Sequence, residues 1–112
     1  MTKKQIRIFP DYCSSGIWGE TGNMDESEIN MDTATRLALK YWHFTWEQWD
    51  IDIPEIREYP PSKQWIDGFY REWWEDGKRI ACLIASFNPD LDVVYMADTP
   101  EEIMELYYGK AE

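Results

Sequence analysis

The chain has 112 residues, 22 Asp and Glu against 11 Lys and Arg, and a formal net charge of −11 at pH 7. That charge repels nucleic acid and anionic lipid and draws basic proteins in at raised rates, so direct nucleic-acid and membrane binding are disfavoured. With 44% hydrophobic residues, seven Trp and seven Tyr, the sequence is too apolar to stay disordered, and residues 1–112 suit one domain with a single core.

Gln5 to Phe9 alternates Ile6 and Ile8 with Arg7, the pattern of a strand with one buried face, and Pro10-Asp11 ends it. Cys13 to Gly19 reads as a structured loop or short strand around Ile17, with Gly16, Gly19 and Gly22 supplying backbone freedom. Glu20 to Asn30 is a polar connection with Met24 and Ile29 turned inward. Asp32 or Thr33 caps a helix from Ala34 to Trp49 that is apolar on two faces. Leu37, Tyr41, Phe44 and Trp49 trace one; Leu39, Trp42 and Trp46 trace the other.

Asp50 to Pro61 is expected to be a loop, because Pro54, Pro60 and Pro61 lack the amide donor a helix needs. It would lay Ile51, Ile53 and Ile56 on the body. Ser62 caps a second helix in which Trp65, Ile66, Phe69, Tyr70, Trp73 and Trp74 recur at helical spacing. The period continues past Gly77 through Ile80, Ala81, Ile84 and Phe87. One long helix is therefore expected, with Gly77 either a break or a close-packing point. Asn88-Pro89-Asp90 ends it, Leu91 to Met96 is a strand, and Thr99-Pro100-Glu101-Glu102 opens a terminal helix ending near Gly109.

The expected fold is α+β: a small sheet of two or three strands, pairing the Ile6 and Val93 strands, packed against two large helices and a short C-terminal one. No run of about 18 apolar residues is present to cross a membrane. Met1-Thr2-Lys3-Lys4-Gln5 lacks the apolar stretch of a secretory leader, so a cytoplasmic location is expected. Cys13 and Cys82, without CxxC or Cys/His spacing, are expected to be buried free thiols.

No motif spells catalysis. His43 is the sole histidine, with no nucleophile or metal partner spaced around it, and reads as structural. The acidic stretches do not match a calcium loop, and Gly16, Gly19 and Gly22 do not form a dinucleotide fingerprint. No catalytic, cofactor or metal residues are assigned, and the protein is not expected to be an enzyme. What remains is charge beside aromatics. Trp46, Glu47, Trp49, Asp50, Asp52, Glu55 and Glu58, with Glu72, Trp73, Glu75 and Asp76, combine carboxylates that steer a basic partner with side chains that anchor interfaces.

The opening strand with Ser14-Ser15-Gly16-Ile17-Trp18, the Trp-rich helix, Gly77-x-x-Ile80-Ala81 and the Val93-Val94-Tyr95 strand together resemble a group of small acidic bacterial proteins. Some of that group look like immunity proteins of toxin systems. The resemblance implies a neutralising protein and carries over no binding residues. The function expected is an immunity or inhibitor protein for a basic partner, such as a nuclease toxin. Two alternatives stand beside it: a phage-type inhibitor that imitates nucleic acid against a DNA-binding defence complex, and a small ligand-binding domain or enzyme with a Trp-lined pocket.

Overall fold

The computed structural model describes residues 3–58 and 62–108, with side chains for residues 3–48 and 62–105. Strand β1 (Lys4–Ile8) turns back through β2 (Ile17–Gly19) and β3 (Gly22–Asn23), and helices α1 (Thr33–Glu58) and α2 (Lys63–Phe87) lead to β4 (Leu91–Tyr95) and α3 (Pro100–Tyr108). The sheet order is β3-β2-β1-β4, with β4 parallel to β1 and the other neighbours antiparallel. The fold is α+β. A parallel neighbour requires a long crossover, which the two long helices supply.

Register follows the apolar alternation. Ile6 sits opposite Val93 and Ile8 opposite Tyr95, so the apolar residues of β1 and β4 share the face on which the core forms. Ile6, Ile8 and Ile17 join Leu39 and Trp42 of α1 and Ile66, Tyr70, Trp73, Ile80, Ala81 and Ile84 of α2 in that core. On the other face Arg7 lies between Trp18 and Val94, and the Phe9 and Trp18 rings stack at 4.9 Å.

The helix starts are those the capping residues mark. Asp32 Oδ1 accepts from Thr35 N–H at 2.8 Å, and Ser62 Oγ accepts from Trp65 N–H at 3.1 Å. Thr99 Oγ1 accepts from Glu102 N–H at 3.2 Å and donates to its carboxylate at 2.9 Å. At the end of α2, buried Asn88 donates to the carbonyls of Ile84 (2.8 Å) and Asn30 (2.7 Å) and accepts from Asn30 N–H (3.1 Å). One amide thus closes a helix and ties down the acidic connection, whose Met24 and Ile29 turn inward as expected.

Three expectations are corrected. The sheet has four strands instead of two or three, because Gly22–Asn23, read as part of the polar connection, pairs with β2. Residues 50–58 continue α1 instead of forming a loop: Pro54 removes one donor, and the helix runs on to Glu58. How Ile51, Ile53 and Ile56 pack, and the conformation of Pro60 and Pro61, lie outside the described residues. Both cysteines are free but exposed, Cys13 at a loop position with φ 54° and Cys82 on the outer side of α2. Among the described residues no helix is long and apolar enough to cross a membrane.

Candidate functional site

Gly77 sets how closely α1 and α2 approach. It is a close-packing point inside an unbroken α2: a Cβ there would fall 2.6 Å from Cε2 and Cζ2 of Trp42 and closer still to the Tyr95 hydroxyl. In the space so left, the Trp42 and Trp73 rings stack at 4.7 Å with planes 7° apart. Each indole N–H donates to the other residue's backbone carbonyl, Trp42 Nε1 to Trp73 O at 2.9 Å and Trp73 Nε1 to Trp42 O at 3.0 Å. Tyr95 completes the cluster, its hydroxyl donating to Trp74 O at 2.8 Å. Burial, reinforced by nearby Glu75 and Asp76, holds its phenol well above the ordinary tyrosine range.

With Leu39, Trp42 and Trp46 used inward, the second apolar face of α1 is left outside. Leu37, Tyr41 and Phe44 are 61%, 74% and 55% exposed, and α2 adds Trp65 at 56% and exposed Phe69, Leu83 and Phe87. Isolated exposed apolar side chains are ordinary, but Tyr41, Phe69 and Leu83 of this set converge on one depression. Between the helices runs an open groove of about 450 Å³. Trp42, Trp73 and Ile80 line its depth, Tyr41, Phe69 and Leu83 its sides, and Glu72 and Asp76 are among its polar groups.

The acidic residues of α2 point different ways. Glu72 and Asp76 line this groove, whereas Glu75 and Glu72 border a second depression beside α3 with Arg71, Trp74 and Glu101. Arg71 there donates to Asp67 and to Glu101, each at 2.8 Å, and those hydrogen bonds, Asp67 first, raise its already high pKa. Asp76 accepts from Arg79 at 3.0 Å. Trp73 is buried at 5% and serves as floor, so its indole is not an exposed anchor. Trp46 packs on Tyr12 with ring centroids 5.0 Å apart, and Glu47 lies 3.3 Å from His43 Nδ1. The side chains of Trp49, Asp50, Asp52, Glu55 and Glu58 lie outside the described residues. Leu37, Tyr41 and Phe44 were visible in the sequence as a helical face, but not as its outer one.

His43 has neighbours the sequence did not reveal. Its Nε2 is 3.2 Å from Ser14 Oγ, 29 residues away, while Nδ1 faces Glu47. Ser, His and Glu in line resemble a nucleophilic triad, yet Nε2 also lies 2.8 Å from the Asp11 carbonyl oxygen. The Asp11 amide N–H also points at Nε2, 3.4 Å away, so this ring nitrogen is engaged by both backbone groups of Asp11. Ser14 Oγ donates to the same carbonyl at 2.8 Å. Ser14 and His43 are thus both tied to the Asp11 backbone, and the arrangement works as a clamp holding residues 11–14 to α1. Among the described residues no three His, Cys, Asp or Glu side chains converge as metal ligands.

No protein-family model matches the chain, and none of the curated proteins is detectably similar to it.

Proposed function

We propose that the protein is an immunity or inhibitor protein that binds a basic protein, a nuclease toxin being the kind its charge suits, and blocks it by covering its substrate-binding surface. The observation that carries this reading is the groove between α1 and α2, where exposed Tyr41, Phe69 and Leu83 lie with the exposed carboxylates Glu72 and Asp76. Aromatics in a pocket provide anchoring and the net charge of −11 speeds the encounter with a cationic surface. The resemblance to toxin-immunity proteins points the same way.

The test is purification of the tagged protein from its own host. A stoichiometric basic protein whose activity is suppressed when the two are mixed supports the proposal. Purification free of any basic protein, repeated under low salt where charge attraction is strongest, sinks it.

A further inference from the structure

We propose that the groove between α1 and α2 seats a basic amphipathic helix of the partner, laid along α2 from Phe69 to Leu83. This rests on the reading of the protein as a binder of basic proteins and adds the partner's secondary structure and its seat.

The depth of the groove argues for a helix. Its indole donors are both committed, Trp42 to the Trp73 carbonyl and Trp73 to the Trp42 carbonyl, so the floor between them is apolar. An extended segment pressed there would leave its own amides unpaired, at a cost; a helix satisfies its backbone internally and brings only side chains. The lining repeats with helical spacing as well. Phe69, Trp73, Asp76, Ile80 and Leu83 of α2 follow one another at three or four residues along the groove. At about 1.5 Å per residue the stretch from Phe69 to Leu83 is about 21 Å long, the reach of a helix of about 14 residues. Helices that fill such grooves anchor through apolar residues at i, i+3 or i+4, and i+7.

Charge selects the occupant. Asp76 shares its charge with Arg79, whereas Glu72 has no cation within ion-pair distance among the described residues. A Lys or Arg flanking the apolar stripe of the incoming helix would supply one. A second copy of this chain would bring the same carboxylates against each other on bodies of charge −11, so a homodimer through this face is disfavoured.

The experiment titrates the isotope-labelled full chain with a synthetic peptide of about 14 residues carrying Leu at i, i+4, i+7 and i+11 with Arg on the flanks. Comparison peptides have the same composition with the spacing permuted, or Glu in place of Arg. The periodic basic peptide is expected to shift the amide signals of Ala38, Thr45, Phe69 and Leu83 and to bind at least about tenfold tighter than either comparison. Tyr41→Ala and Glu72→Lys, both at exposed positions, should each weaken it with unchanged circular dichroism. Equal binding of the permuted peptide, shifts confined to the outer sheet face, or groove signals that move on dilution of the protein alone overturn the assignment, the last by showing a second copy in the seat. The two proposals fail separately. A host basic protein retained equally by the Tyr41→Ala and Glu72→Lys variants leaves the neutralising role standing and removes the groove; a peptide seated in the groove with no basic protein captured does the reverse.

Discussion

Replacing glycine by alanine at two positions of the same helix should give effects of opposite sign. In a helix interior the exchange stabilises by about 1 kcal/mol when nothing else changes. Gly68 meets that condition, since a Cβ there has nothing within 4 Å. Gly68→Ala should therefore raise stability by up to about 1 kcal/mol. At Gly77 the same methyl enters the space held by Trp42 and the Tyr95 hydroxyl. Wedging a well-packed core costs about 1–3 kcal/mol. Displacing Tyr95 from the Trp74 carbonyl costs about 1 more. After the helix gain of about 1 kcal/mol, Gly77→Ala should destabilise by about 1–3 kcal/mol. Urea unfolding followed by circular dichroism, with equal slopes, reads both values. Because the nearest atom is the hydroxyl, Tyr95→Phe should relieve part of the penalty, so the double variant is less destabilised than the sum of the singles. A neutral or stabilising Gly77→Ala would refute the claim that this glycine sets the spacing of the two long helices.

Tyr95, whose phenol burial keeps neutral in the fold, contributes stability that is complete below the ordinary tyrosine value near 10 and is lost as pH rises toward its own higher one. Ultraviolet titration should show fewer phenols ionising in the folded protein than after unfolding, and Tyr95→Phe should narrow that difference by one. Asn88→Ala deprives the Ile84 and Asn30 carbonyls and the Asn30 amide of their partner and should cost about 2–4 kcal/mol by denaturant unfolding, a neutral result showing that water replaces the amide. Reversing Glu72, Glu75 and Asp76 to Lys should slow association with a basic partner chiefly at low salt; because Glu75 faces α3 instead of the groove, its single reversal should matter least, as stopped-flow mixing would show.

The parts of the fold legible in the sequence were those set by near neighbours along the chain. Ile6 and Ile8 alternate, Ser62, Asp32 and Thr99 cap, and the recurrence from Trp65 to Phe87 crosses Gly77 without losing phase. The continuation of α1 was missed because the rule for proline counts the lost donor at Pro54 and not the bonds on either side of it. The two apolar faces of α1 were legible, but not which one packs. Both have helical period, and the choice is made by Gly77, which lies 35 positions from Trp42 and admits its indole and no larger group beside it. The clamp of Ser14, His43 and Glu47 was invisible for the same reason, since the turn of β1 into β2 alone brings Ser14 to α1.

The reciprocal bond between Trp42 and Trp73 bears on how the free energy of association divides between partners. A floor clasped by two indole-to-carbonyl bonds has little conformational freedom left to lose. In the proposed complex the ordering entropy would then fall on the incoming segment, unfolded while free and helical only when seated. Its binding would carry the large negative heat-capacity change of coupled folding, while the acidic protein's own contribution to that quantity stays small.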